Sequence, residues 1–519
     1  MARMGAAQAP SSGSVVDPRT RRPAPVRRLA GAPAAAWLAL VLAVAAAVRA
    51  WQLNGLGFNS DEAVYAGQAA AIADHPELGG LFPVFRAHPL LVQTLLSVGF
   101  RLHLPEGFER LAIAALGVAT VGVVYELGRL LYGRPAGLVA ALLMALMPYH
   151  VVVTRQVLLD GPMTLFATLT LLLLVRFVLS GRPWWLYGAG AAMGLTVLSK
   201  ETSIVLLGAI YAFLALTPDL RVRLRDIAVS LAVMALVIAP FPLSLMLAGH
   251  TGTGESYLTW QLFRRPNHGW LFYPATVPEA VGPVVLLAAV AGLWLLRREA
   301  SWRETLLLSW IAVPVVFFSL WPVKGFQYLL PIAPALAVLA ARALCRLPMP
   351  AAPGLRSLGI ATVALSLLVP TLERVRGARP DTYLAGSGGL PGGRETGAWI
   401  DAHVPEGATF LTIGPSMANL VQYYGRRKAY GLSVSPNPLN RNPSYEALVN
   451  PDRAIRDSEL QYVVWDTFSA ARSASFSEKL LGYAERYDGR VVHTEVLPAR
   501  TALGERSDRP AIVVFAVRP

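Results

Sequence analysis

Apolar runs, most of them roughly 17–22 residues long, recur along this chain, and a helix of about 20 such residues matches the hydrocarbon thickness of a bilayer. They fall near 34–48, 111–131, 136–153, 162–179, 184–198, 203–216, 227–248, 280–296, 305–321, 328–344 and 355–372, which predicts a polytopic α-helical membrane protein with about eleven spans. The 54% hydrophobic and 15% charged composition, with mean hydropathy +0.47, excludes a soluble protein of this size. Net charge +14 does not imply a nucleic-acid partner, because the arginines sit mostly in short loops between apolar runs, where they set topology and meet anionic lipid head groups. A single cysteine, Cys345, excludes an intramolecular disulfide and any multi-cysteine metal site.

Residues 1–33 are rich in Ala, Pro, Ser and Arg without periodicity and read as a disordered cytoplasmic tail. Behind Arg19, Arg21, Arg22, Arg27 and Arg28, the first span leaves the cytoplasm by the positive-inside bias and delivers the following loop, about 52–109, to the outer face. That loop contains an apolar segment, 88–101, which opens with His88 and Pro89 and is short for a span. If it lies on the membrane, Arg134, Arg176, Arg182, Arg221, Arg223, Arg225, Arg297, Arg298, Arg303, Arg342, Arg346 and Arg356 all fall inside. If it crosses, those arginines flip to the outer face and contradict the amino terminus, so the segment is taken as a juxtamembrane helix.

With this parity the outer face collects the ionisable groups that the bias does not explain, which makes a shared polar site at the membrane boundary the functional expectation. Asp61 and Glu62 follow the first span directly. Ser60 or Asp61 suits a helix cap over 63–73, and a carboxylate there also suits a general base that takes the proton of an acceptor hydroxyl. In the next outer loop Asp160, before Gly161-Pro162, suits a helix cap equally well as a partner with Arg155 beside a phosphate leaving group. Lys200 sits between two closely spaced spans, either as a snorkelling anchor or as a cation for a lipid-linked phosphate. Arg264, Arg265 and His268 are interleaved with aromatics, and Lys324 with Tyr328 adds a cation and a phenol at another outer end; His268 alone is more often structural. No zinc-type spacing, Walker loop, dinucleotide fingerprint or serine-hydrolase elbow is present, so an activated donor has to be membrane-borne.

Asp61-Glu62, His88-Pro89-Leu90, Arg155 with Asp160, Ser199-Lys200 and Tyr328-Leu329-Leu330-Pro331 together resemble the multi-spanning glycosyltransferases with the C-type fold, specifically the protein O-mannosyltransferase and lipid A aminoarabinose transferase superfamily. The resemblance covers roughly 38–344, with Leu90 where the family often has a second proline. It implies an enzyme that moves a sugar, with inversion, from a polyprenyl-phosphate-linked donor to a protein, lipid or glycan acceptor, and the high Ala, Arg and Gly usage points to a GC-rich bacterial genome and so to a bacterial plasma membrane. In that scheme Asp61 is the base, with Glu62 beside it, and Asp160 organises the site. Lys200, Arg264 or Arg265, and Tyr328 surround the donor phosphate, and Arg86, His88, Arg155, His268 and Lys324 are further donor-phosphate or substrate-binding candidates on the same outer face. No cofactor is required, although Asp61 and Asp160 leave room for a divalent metal.

The remaining segment, 373–519, changes to Gly-Gly and Pro-Gly punctuation with strands at 408–413, 461–465 and 511–517 and helices at 395–403, 416–424 and 476–487. It reads as an extracytoplasmic α/β domain behind a transmembrane domain of 34–372. Two readings from other classes are a lipid or solute transporter, which places polar breaks at span midpoints, and a non-catalytic membrane scaffold, in which Asp61 is dispensable.

Overall fold

The computed structural model describes residues 34–84, 88–249, 260, 266–346, 353–376, 390–442, 445–500 and 506–519. The amino-terminal tail, Arg86, Arg264 and Arg265 lie outside these residues. Helix α1 (Ala34–Ala50) is followed by two short helices, α2 (Ser60–Ile72) and α3 (Leu91–Arg101). The eleven residues of α3 reach only about 17 Å, half of what a crossing needs. Then come α4 (Phe108–Tyr132), α5 (Arg134–Leu146), α6 (Pro148–Thr154), α7 (Asp160–Ser180), α8 (Pro183–Ser199), a 3-10 turn Glu201–Ile204 running into α9 (Val205–Ala215), α10 (Leu224–Ile238) and α11 (Pro240–Leu247). The helical part ends with α12 (Phe272–Val281), α13 (Pro283–Leu295), α14 (Trp302–Leu320), a 3-10 segment Phe326–Ile332 leading into α15 (Ala333–Arg346), and α16 (Pro353–Arg376).

Every expected apolar run is helical, but the span count is lower than the eleven read from hydropathy. Among the described residues six helices are long and apolar enough to cross, or eight if two bent pairs each count as one. The bends explain part of the difference. Pro148 breaks α5 from α6 at 58°, and α12 turns 97° into α13. At that second corner Gly282 has φ +98, a conformation L side chains rarely adopt, and a Cβ there would lie 2.4 Å from Leu367 Cδ2. Ala34–Ala50 and Glu201–Ala215 are further apolar helices, shorter than those six.

The bundle buries α6 along its whole length and most of α5, α7 and α15, whereas α10 has no buried residue and presents Leu224, Leu231 and Leu236 outward, as a lipid-facing helix does. The two ends of the bundle carry separate clusters of charged side chains. At one end Glu126 pairs with Arg129 and Arg176, and Tyr132 donates to Glu304, which also meets Arg342. Helix α4 carries the chain about 37 Å from there to Glu109 and Arg110, the end where Asp61, Asp160 and Lys200 gather.

Beyond α16 lies a five-stranded sheet with order β2-β1-β3-β5-β4. Helix α17 (Gly393–His403) precedes β1 (Thr409–Thr412), α18 (Pro415–Tyr424), β2 (Lys428–Gly431), α19 (Pro451–Arg456), β3 (Tyr462–Asp466), α20 (Thr467–Arg472), α21 (Ala474–Arg486), β4 (Arg490–Arg500) and β5 (Arg506–Ala516). Strand β1 pairs in parallel with β2 and β3, whereas β5 is antiparallel to both β3 and β4. Phe410, Leu411, Val463, Val464, Ile512 and Val514 fill the interior of this sheet.

Candidate active site

Asn59 caps α2, in place of the Ser60 or Asp61 expected from sequence. Its side chain accepts the Glu62 amide at 2.9 Å, and Glu62 Oε2 accepts the Asn59 amide at 3.0 Å, a reciprocal capping box. Asp61 therefore occupies the first helical turn, flanked by residues tied to three other elements. Asn59 donates to Gln156 Oε1 at 2.7 Å, and Asn419 donates to Ser60 Oγ at 2.9 Å. Glu62 is fully buried and also receives Arg110 Nε and Nη2, each at 2.7 Å, and the Val157 amide at 3.0 Å. Four donors occupy that carboxylate, so Glu62 anchors the turn rather than facing a substrate. Arg110 spends its other N–H groups on the carbonyls of Leu53, Leu56 and Gly57.

Asp61 has no hydrogen-bond partner among the described residues. Its side chain is exposed to solvent yet crowded by protein, the combination found in a concave site. That crowding raises its carboxyl above the usual range, opposed by Lys200 and His88, with the neighbouring Glu62 charge adding a smaller push upward.

Lys200 and Glu201, adjacent in the break between α8 and α9, each hold one partner. Lys200 Nζ sits 2.9 and 2.8 Å from the two carboxylate oxygens of Asp160, with both side chains buried, and 4.7 Å from the centroid of the Tyr328 ring. Glu201 Oε2 meets His88 Nδ1 at 2.8 Å, and the His88 ring stands edge-on to Tyr65. Two acid–base pairs thus border Asp61. Parity places Glu201 on the outer face with Lys200, but sequence reasoning assigned it no role, although its place beside Lys200 in the same helix break was a usable signal.

Arg155 lies apart from this cluster. Its guanidinium caps the carboxy-terminal carbonyls of α1, donating to Val48 at 3.0 Å, Arg49 at 2.6 Å and Gln52 at 3.3 Å, so its expected pairing with Asp160 is not formed. Arg49 is also fully buried, bonded to Thr154 Oγ1, His150 Nδ1 and two carbonyls, an arrangement with no sequence signal.

The loop before α12 is fastened to the segment before the second 3-10 turn by a reciprocal amide clamp. Asn267 Nδ2 donates to the Lys324 carbonyl and the Lys324 amide donates to Asn267 Oδ1, both at 2.8 Å. Lys324 Nζ is turned onto the Trp321 carbonyl at 3.1 Å and lies 5.5 Å from the Trp270 ring centroid. His268 stacks on Phe272 with centroids 4.1 Å apart; partial burial and the Lys324 charge lower its pKa. Tyr149 and Tyr273 donate to the carbonyls of Phe326 and Gly325, tying the Tyr328 segment to α6 and α12. Among the described residues no three His, Cys, Asp or Glu side chains come together as a metal site.

Residues 87–245 match the family described as dolichyl-phosphate-mannose-protein mannosyltransferase. No curated protein sequence matches the chain. Among solved structures, ArnT from Cupriavidus metallidurans bound to undecaprenyl phosphate is similar at TM-score 0.70 and 18% identity, over 93% of this chain and 98% of that one. The Archaeoglobus fulgidus oligosaccharyltransferase tethered with an acceptor peptide is similar at TM-score 0.60 and 15% identity, over 92% of this chain and 74% of that one. The mycobacterial arabinofuranosyltransferase AftD follows at TM-score 0.52 and 17% identity, over 94% of this chain and 40% of that one. This chain is a polytopic helical membrane protein with the C-type glycosyltransferase fold.

Proposed function

We propose that this protein is an inverting membrane glycosyltransferase that takes a sugar from a polyprenyl-phosphate-linked donor and places it on an extracytoplasmic protein, lipid or glycan acceptor. The acceptor oxygen attacks the anomeric carbon, the bond from that carbon to the phosphate oxygen breaks, and Asp61 takes the acceptor proton. The observation that carries this reading is the contrast among the clustered acids. Glu62, Asp160 and Glu201 are held by cations or backbone amides, while Asp61 alone keeps an unpaired carboxylate open to water.

Lys200 then stabilises the charge that develops on the leaving lipid phosphate, with Asp160 holding its ammonium and Tyr328 lying against it. An ammonium has three N–H donors; two are directed at Asp160, leaving one for a phosphate oxygen. His88, Lys324 and the loop of His268 border the same region, and Arg86, Arg264 and Arg265 are proposed to complete the phosphate surroundings. Fixed cations supply the stabilisation in this scheme without a resident metal; both oxygens of Asp160 already face Lys200, so a metal shared with Asp61 would have to displace that ammonium. We place the protein in a bacterial plasma membrane, and the positive-inside bias supports an orientation with the amino terminus cytoplasmic and 373–519 extracytoplasmic.

The test is turnover by the full-length protein in lipid nanodiscs, supplied with a panel of undecaprenyl-phosphate-linked hexoses and pentoses, comparing wild type with Asp61→Asn. Release of undecaprenyl phosphate that requires Asp61 is the expected result. Equal turnover by the variant removes Asp61 as base.

A further inference from the structure

The turn that carries Asp61 is gripped from the side of the five-stranded sheet as well as from the bundle. Four contacts converge there, and a fifth joins Tyr423 to Glu109 of α4. Tyr424 Oη accepts the Phe58 amide at 2.7 Å, and Asn419, itself 3% exposed, donates to Ser60 Oγ at 2.9 Å. The Phe58 ring packs on Tyr423 and Tyr424, with centroids 5.0 and 5.9 Å away, and Tyr423 Oη donates to Glu109 Oε1 at 3.0 Å. Finally, α17 approaches the same loop so closely that a Cβ on Gly57 would lie 2.7 Å from Arg394 Cβ and 3.3 Å from the Arg394 amide nitrogen. Apart from the Tyr423–Glu109 bond, these contacts fall on residues 57, 58 and 60, immediately before Asp61, and none reaches Asp61 itself.

We infer that α18 is a positioning element of the Asp61 site: Asn419 and Tyr424 set the orientation of the first turn of α2 and so aim the Asp61 carboxylate. The physical reason lies in the geometry of the cap. From the bundle, Arg110 and the Val157 amide hold Glu62, and Gln156 holds Asn59. Those anchors all lie on the bundle side and none reaches Phe58 or Ser60; Asn419 on Ser60 and Tyr424 on the Phe58 amide hold the turn from the opposite, sheet side. The inference rests on the proposed role of Asp61 in transfer, where a misplacement of ~1 Å is enough to slow a reaction about a hundredfold. Asn419 and Tyr424 do not touch the reacting atoms in this scheme, so their effect runs through Asp61.

The experiment uses the full-length protein in nanodiscs with Asn419→Ala, Tyr424→Phe and, as control, Arg426→Ala. Arg426 bridges Glu77 at 2.7 Å and Asp401 at 3.4 Å with an exposed side chain, so it joins the same two parts of the molecule without touching the α2 cap. Hydrogen exchange of residues 58–66 is read on all three, alongside kcat and KM with the undecaprenyl-phosphate sugar panel. The expected result is faster exchange in 58–66 for Asn419→Ala and Tyr424→Phe, with kcat lowered roughly ten- to a hundredfold at nearly constant KM. Arg426→Ala stays within about twofold of wild type on both readouts, within the small range of an exposed ion pair. Unchanged exchange and kcat in the first two variants, or equal losses in all three, overturns the inference. If wild type turns over no sugar of the panel, the transferase reading fails, and the exchange data alone still decide whether α18 sets the turn.

Discussion

Lys200 Nζ lies within 2.9 Å of both carboxylate oxygens of Asp160, in a setting where the two side chains are 5% and 2% exposed. The lysine is half of a buried pair before any substrate arrives. Removing one member leaves the other charged and unpaired, which costs about 3–5 kcal/mol. Lys200→Met and Asp160→Asn should therefore each lower the thermal midpoint markedly, and the double variant should recover most of that loss while remaining inactive. Thermal unfolding of the four proteins in one detergent checks this; a double variant with additive losses would refute the pairing.

Arg110 joins Glu62 to the carbonyls of Leu53, Leu56 and Gly57 and so holds the whole segment that leads into α2. Arg110→Met should cost about 3–5 kcal/mol, because it strands a fully buried carboxylate. Glu62→Gln should cost less, since an amide oxygen still accepts from Asn59 or Val157. The two unfolding midpoints, measured side by side, order these effects; the reverse order would show that Glu62 is not the anchor.

Asp61 behaves oppositely. Its carboxyl is raised above the ordinary value near 4 by the surrounding protein. A raised folded-state value means that the protonated form fits the fold better; the stabilising contribution is complete below the unfolded value and is lost as pH rises through the folded one. At neutral pH the ionised side chain is thus a small burden that asparagine lacks. Asp61→Asn should keep or raise the thermal midpoint at pH 7.5 and lose that advantage at pH 4. Unfolding scans at both values read the sign directly, and a lower midpoint at pH 7.5 would contradict it.

The same shift sets the acid limb of activity. If Asp61 accepts the acceptor proton, kcat/KM should fall as pH drops through its folded value, and the midpoint of that limb should lie above the ordinary carboxylate value near 4. A pH profile of wild-type turnover tests this. An acid limb at or below that ordinary value would assign the base elsewhere.

Asn267 fastens the loop of His268 and Trp270 to Lys324 through two hydrogen bonds. Asn267→Ala should cost about 1–3 kcal/mol in total and loosen that loop. If the loop borders the donor, KM for the lipid-linked sugar should rise several-fold with kcat little changed. Steady-state kinetics separates the two parameters, and a fall in kcat at constant KM would place the loop's role in the chemical step.

Apolar run length determined that this chain is a helical membrane protein, and that is local information: about 20 apolar residues in a row have no other stable setting than a bilayer or a buried core. Proline and glycine also speak locally, so the corners at Pro148 and at Gly282-Pro283 were open to reading, although hydropathy alone merged each of them into an unbroken span. The gathering of Asp61, His88, Asp160, Lys200 and Tyr328 at one end followed from counting crossings. What each of those residues does was decided only in three dimensions. Asp61 and Glu62 are adjacent and chemically alike, yet one is buried under four donors and the other is open, because Arg110 and Val157, far along the chain, lie on one side of the turn and not the other. Arg155 is close to Asp160 in sequence but spends its guanidinium on the end of α1, whereas Lys200, forty residues further on, takes the carboxylate. Side-chain partners are chosen by which elements pack together, and packing joins residues that no local pattern connects.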